Sequence, residues 1–199
     1  MKKLPSKNLG PNAVRIIAGA WRGRKIQALP GETVRPTADR VREALFNRLT
    51  HGFAQMAFQI QGARVLDVFA GTGALGLEAL SRGAKYATFV EKNPDTASLI
   101  RRNSEKLGAE DRGNVLIADA AHLPSATDTY DLALLDPPYG KNLAAQTLTC
   151  LILQGWLKPG ALVSVETDAT ENVSTVSAMV QLDRRSYGRA VVSIFHYRP

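Results

Sequence analysis

The chain has 199 residues, 45% of them hydrophobic, which suits one ordinary domain, or one domain with an extension, built around a real core. No run of about 18 apolar residues and no apolar stretch behind the lysines of MKKLPSKNLGPN occurs, so neither a membrane span nor a secretory signal is indicated; one cysteine, Cys150, rules out an internal disulfide, favours a reducing cytoplasm and, with three scattered histidines, gives no metal-ligand cluster. The net charge of +7 is uneven: residues 1–48 hold 11 of the 25 Lys+Arg and 3 of the 18 Asp+Glu, a surplus of +8 against −1 for the remainder, and so localised a patch points to a polyanionic partner, most simply nucleic acid, more than to solubility charge.

In chain order, residues 1–12 are polar with Pro and Gly and read as a disordered tail. VRIIAG and WRGRKIQAL form a small arginine-bearing hairpin around Gly19–Gly23. After PGETVRPT, Thr37 is placed to cap a helix over 38–50, with Asp39 in its first turn and Val41, Leu45 and Leu49 on one face. From residue 63 strands and helices alternate. ARVLDVFAG runs into a glycine turn, ALGLEALSRGA is a short helix, and YATFVEK is a strand. Asn93 caps and Pro94 opens a helix to about Leu107. NVLIAD and YDLALLD are the next strands, KNLAAQTLTCLILQGWL is a helix stopped by Pro159–Gly160, and ALVSVET is a fifth strand. QLDRRSYG and AVVSIFHYR close the chain as a hairpin pair. This rhythm means an α/β fold around a parallel sheet.

GTGALG (71–76) fits G-x-G-x-x-G between a strand and a helix, with Glu91 twenty residues after Gly71, as in a dinucleotide-binding turn. Asp67 argues against a dinucleotide, because a carboxylate four residues before Gly71 repels a pyrophosphate over that turn. It suits a cationic ligand. S-adenosylmethionine carries an ammonium and a sulfonium, a ribose for Glu91 and no phosphate. Asp119, at the end of the third core strand, is an acceptor for the adenine amine beside Ala120, or the start of a plain Asx-turn; spacing leaves both open. Asp67, Glu91, Asp119 and Asp136 each close a successive strand, so four acids gather at one rim of the sheet. The candidate cofactor contacts are Asp67, Phe69, Ala70, Gly71, Thr72, Gly73, Glu91, Lys92, Asp119 and Ala120.

LLDPPYG ends the fourth core strand with an acid, two prolines and an aromatic ring. An exocyclic base amine is a poor nucleophile because its lone pair is delocalised into the ring. The Asp136 carboxylate and the Pro137 carbonyl, holding its two hydrogens, aim that lone pair and stabilise the positive charge that develops on nitrogen. Pro137 and Pro138 stiffen the loop and remove competing N–H donors, and Tyr139 offers a ring for stacking on the base.

These motifs together resemble a class I S-adenosylmethionine-dependent methyltransferase of the amino-methylating branch. RIIAGAWRGRKI, RPTADRVREALFNRL, DVFAGTGALGLEALSRGA and DPPYG resemble the RsmD family, which methylates the guanine N2 amine of 16S ribosomal RNA, over essentially the whole chain from Val14. The resemblance implies a Rossmann-like, seven-stranded, mostly parallel sheet with helices on both faces and a terminal antiparallel hairpin. It implies a basic N-terminal extension over 13–62 that touches RNA through Arg15, Trp21, Arg22, Arg24, Lys25 and Arg35, ahead of a catalytic domain over 63–199. Trp21 serves equally as the hairpin's own small core. Thr37 and Arg40 become neighbours of the cofactor, against the plainer reading of a helix cap and a solvated arginine. The implied partner is 16S rRNA or the assembling small subunit, engaged by a cytoplasmic, metal-free monomer. A DNA adenine-N6 methyltransferase is the main alternative, though the chain has no spare residues for a target-recognition domain beyond 1–62. An NAD-dependent oxidoreductase lacks a use for DPPY and Asp67, and a non-catalytic RNA-binding module lacks a use for the intact acid and glycine set.

Overall fold

The computed structural model describes residues 13–28, 36–56, 58–141, 143–171, 173 and 177–199; the side chains of Pro36, Thr37 and Ala54 are not described. The expected tail over 1–12 and Arg35 lie outside these residues.

A short antiparallel pair, β1 (Ala13–Arg15) and β2 (Lys25–Gln27), precedes helix α1 (Pro36–His51). The alternating part follows as β3 (Arg64–Val68), α2 (Ala74–Ser81), β4 (Tyr86–Glu91), α3 (Pro94–Leu107), β5 (Gly113–Ile117), β6 (Tyr130–Leu135), α4 (Leu143–Leu153) and β7 (Leu157–Asp168). It ends with β8 (Met179–Tyr187) and β9 (Ala190–Tyr197). The seven-stranded sheet has the order β5-β4-β3-β6-β7-β9-β8, parallel except that β9 inserts antiparallel between β7 and β8.

This order explains the position of the site. The chain winds outward from β3 to β4 and β5, then returns to the other side of β3 for β6. The reversal opens a crevice at the carboxyl ends of β3 and β6. Side chains alternate between sheet faces. On β3, Val65 and Asp67 look toward α2, while Leu66 and Val68 belong to the core on the α4 side. The same parity on β6 and β7 sends Leu132, Leu134 and Leu162 to the α2 side and Ala133, Leu135, Val163 and Val165 to the other.

Two boundaries differ from expectation. The helix α1 starts at Pro36, so Thr37 sits inside its first turn rather than at its cap; proline's fixed φ suits that first position. The helix α4 stops at Leu153 rather than continuing through Leu157 to Pro159–Gly160. Gly155 adopts φ 74°, its N–H reaches the Ile152 carbonyl and that of Trp156 reaches Leu151, a left-handed cap that ends the helix. Trp156 then stacks on Tyr130, with ring centroids 5.8 Å apart, and Leu157 already belongs to β7.

The N-terminal hairpin is bound into the main core: Ile16 and Ile26 are buried in one cluster with Phe46 of α1, Leu77 of α2 and Ile100 of α3. Glu78 of α2, fully buried, fastens it by accepting from the Ile17 N–H (2.7 Å), the Ala18 N–H (3.0 Å) and Arg82 Nε (2.7 Å). Replacing Glu78 by Ala strands two backbone donors and a largely buried guanidinium. Urea unfolding of Glu78→Ala is expected to show a loss of about 3–5 kcal/mol, as for other broken buried pairs.

Candidate active site

A cavity of about 1000 Å³ lies over the crevice. It takes in all four strand-end acids, Asp67, Glu91, Asp119 and Asp136, together with Phe69, Ala70, Gly71, Thr72, Lys92, Ala120, Pro137, Pro138 and Tyr139. Gly73 and Arg40 are not in its lining, and the expected Thr37 contact lies outside the described side chains. Gly73 (φ 77°) turns the chain into α2, and a Cβ there would press on Ile100, Phe89 and Leu77. Arg40 is exposed.

Asp67 is only 1% exposed, and its Oδ2 accepts the Gly76 N–H of α2 at 2.8 Å. Burial raises its pKa well above the usual carboxylate value, the Gly76 hydrogen bond offsets part of that, and the charges of Asp136 and Glu91 raise it further. A cation arriving in the cavity would relieve this unfavourable charge. A pyrophosphate would not, because the carboxylate already holds a donor at the start of the helix. Gly76 carries no Cβ because one would stand 2.4 Å from the Phe89 ring. Phe69, just beyond β3 and in the cavity lining, takes φ 64°, a strained value for a bulky residue.

Glu91 is held by two backbone donors, the Gly71 N–H at 3.1 Å and the Asn93 N–H at 2.8 Å. Asn93 caps α3 through Asp95 and Thr96, as its position suggests. Asp119 lies two residues past β5. Its Oδ1 accepts the Ala121 N–H at 3.1 Å, the Asx-turn geometry, and its Oδ2 receives Lys92 Nζ at 2.7 Å. The Lys92 contact, followed by that to Ala121, holds its carboxyl below the usual range, so it stays an acceptor at neutral pH.

Asp136 follows β6 directly, and Asp67 pairs in register with Leu134, so both acids flank the crevice between adjacent strands. The Tyr139 hydroxyl donates to Glu166 Oε1 at 2.8 Å. Burial and then the Glu166 carboxylate push the Tyr139 pKa up, so it remains a neutral donor; burial also raises Glu166.

Of the cavity residues that escape the sequence-level choice, two bear most on its chemistry. Arg42 stands where Arg40 was expected: it is 7% exposed, and its Nη2 donates to the Arg15 carbonyl and to Asp39 Oδ1, both at 2.8 Å. Its buried Nε has no partner among the described residues. Glu166 is the other. The signal for it lay in VSVETD, where polar residues fall at every second position of an apolar strand.

The basic residues spread wider than the cavity. Arg15 is exposed and 3.7 Å from Asp39, beside the lining residue Val14. Arg22 and Lys25 are exposed. The guanidinium of Arg24 donates to the carbonyls of Lys106 and Leu107, at the end of α3 opposite Asn93. Trp21 is half-buried, packs on the main core rather than on a core of the hairpin's own, and lies under the Arg112 guanidinium at 5.5 Å.

Residues 14–196 match the family described as Conserved hypothetical protein 95. The chain is 40% identical over 192 residues to the Ribosomal RNA small subunit methyltransferase D of Haemophilus influenzae, covering 94% of this chain and 95% of that one. It belongs to the RsmD family. The Escherichia coli protein of the same description is 36% identical, with 95% of this chain and 92% of that one covered. A solved Escherichia coli structure assigned as a methyltransferase superposes with a TM-score of 0.79 at 35% identity, over 94% of this chain and 99% of that one. The Rossmann-like class I methyltransferase fold, with its seven strands and terminal antiparallel hairpin, is therefore present as the sequence suggested. The chain is a methyltransferase by family.

Proposed function

We propose that the chain transfers a methyl group from S-adenosylmethionine to the exocyclic N2 amine of a guanine in small-subunit ribosomal RNA, in the cytoplasm. The observation that carries this reading is the shared cavity in which buried Asp67 at the end of β3 meets the Asp136–Tyr139 loop at the end of β6. The relatives described as small-subunit rRNA methyltransferases support the choice of RNA.

The donor set fits the cofactor. Asp67 suits its ammonium, Glu91 its ribose hydroxyls and Asp119 its adenine amine, and Arg42 brings a buried cation whose Nε is without a partner among the described residues. When bound, S-adenosylmethionine supplies an electrophilic methyl on a sulfonium. The protein's part is to aim the nucleophile. Asp136 and the Pro137 carbonyl accept the two amine hydrogens, Pro138 keeps the loop rigid, and Tyr139 supports the base plane. As the amine becomes cationic, the Asp136 carboxylate stabilises it and holds its proton on the way to solvent. A base stacked inside a helix cannot reach this crevice, so the target is unpaired or flipped out. Exposed Arg15, Arg22 and Lys25 hold phosphates and position the RNA without choosing the base.

The test supplies methyl-labelled S-adenosylmethionine with 16S rRNA, assembled small subunits or DNA. Label is expected on RNA or subunits. Label on DNA alone would support adenine-N6 chemistry instead.

A further inference from the structure

The DPPY loop holds an amine but does not say which base carries it, since adenine N6 and guanine N2 offer the same two hydrogens. We propose that Glu166 selects guanine: its carboxylate, set beside Asp136 by the neighbouring strand and aimed by the Tyr139 hydroxyl, accepts the N1–H of the target base. This proposal rests on the guanine-N2 reading above and goes beyond it by assigning the base choice.

The placement follows from register. Leu135 of β6 pairs with Val165 of β7, so the next residues, Asp136 and Glu166, leave adjacent strands side by side, about 5 Å apart at the backbone. Parity puts Ser164 and Glu166 on the same face as Leu162, the face toward α2, and Ser164, Glu166 and Asp136 all line the cavity. Three carboxylates, those of Glu166, Asp136 and Asp168, act on the Tyr139 hydroxyl. Asp168 is committed to Arg189 and Thr170 outside the cavity lining. Glu166 faces inward, and among the described residues its Oε2 has no hydrogen bond.

Chemistry then decides the base. Guanine carries N1–H next to its C2 amine, so a base whose amine sits on Asp136 and Pro137 turns a second donor toward the neighbouring acceptor. Adenine and 2-aminopurine present a lone pair at N1 and meet the carboxylate acceptor to acceptor. Tyr139 serves the same end twice: its hydroxyl stabilises the ionised Glu166 against the pull of burial, and by taking Oε1 it leaves Oε2 for the base. A polar site built for one donor rejects the analogue that lacks it, often by more than 100-fold.

The test uses an RNA carrying the loop labelled in the assay above, synthesised with either guanine or 2-aminopurine at the labelled position. 2-Aminopurine keeps the C2 amine but has a lone pair at N1. The unaltered enzyme is expected to methylate guanine at least about 100-fold faster. In Glu166→Gln the Tyr139 hydroxyl still holds the carbonyl oxygen, so the amide N–H2 turns to the base and favours N1 as an acceptor. The guanine to 2-aminopurine ratio should fall to about 10 or below. This ratio is read within one enzyme, so a general loss of stability or cofactor affinity leaves it unmoved. A ratio near one in the unaltered enzyme, or an unchanged ratio in Glu166→Gln, would overturn the assignment of Glu166 while leaving guanine-N2 transfer intact. Absence of label on the guanine RNA would overturn the functional reading itself and this assignment with it.

Discussion

Asp136→Ala is expected to lower the methyl-transfer rate by about 100- to 1000-fold, the usual cost of removing one positioned group that stabilises transition-state charge, with cofactor affinity nearly unchanged. The reasoning is geometric. Asp136 lies just past β6 and is exposed, so its loss leaves no cavity in the core. Its backbone N–H, toward the Val68 carbonyl at 3.4 Å, remains in place. What disappears is the acceptor that holds the amine and meets its developing charge. Single-turnover rates with saturating cofactor, paired with calorimetric cofactor binding, separate this outcome from simple loss of binding. A full-rate variant would remove Asp136 from the chemistry.

Asp67→Asn is expected to give a more stable protein that binds its cofactor poorly. In the folded chain burial keeps the Asp67 carboxyl protonated to a higher pH than in the unfolded chain. The folded state therefore binds more protons between the two pKa values, and its stability falls as pH rises from the ordinary carboxylate range through the raised value. The side-chain amide of the Asp67→Asn variant accepts the same Gly76 N–H without that charge. The variant's advantage in melting temperature should be absent at low pH, where both side chains are neutral, and should grow as pH rises through the raised pKa. Cofactor binding should move the other way. The ammonium favours the ionised carboxylate, so binding expels a proton and tightens with rising pH in the parent. The variant loses this dependence and about 10- to 100-fold in affinity, the scale of a charged hydrogen bond. Calorimetry across pH reads both changes.

Much of this site is legible in the sequence, and for a definite reason. Asp67, Glu91, Asp119 and Asp136 each come at or just after the end of a recognisable core strand, and parallel strands bring their carboxyl ends to one rim. Glu166 is less legible because its meaning depends on β7 lying beside β6 in a particular register. Polar alternation in VSVETD shows only that one face of that strand is special. Arg42 rather than Arg40 reaches the cavity because α1 starts at Pro36 and packs Val41, Leu45 and Leu49 on the core, a rotation that helical spacing leaves open without the partner surface. The helix α4 is misjudged for a local reason, since one left-handed glycine, Gly155, outweighs the apolar run on either side. The basic quarter of the chain is correct as composition, but Arg24 spends its guanidinium on the end of α3 and Trp21 is half-buried against the core.

The most direct test of the central claim is the identity of the product nucleoside. Small-subunit rRNA labelled by the enzyme from methyl-labelled S-adenosylmethionine is digested to nucleosides and separated. The account predicts a single labelled species, N2-methylguanosine, absent when Asp136→Ala replaces the parent. Label recovered as N6-methyladenosine, or as a carbon- or ribose-methylated nucleoside, would contradict it.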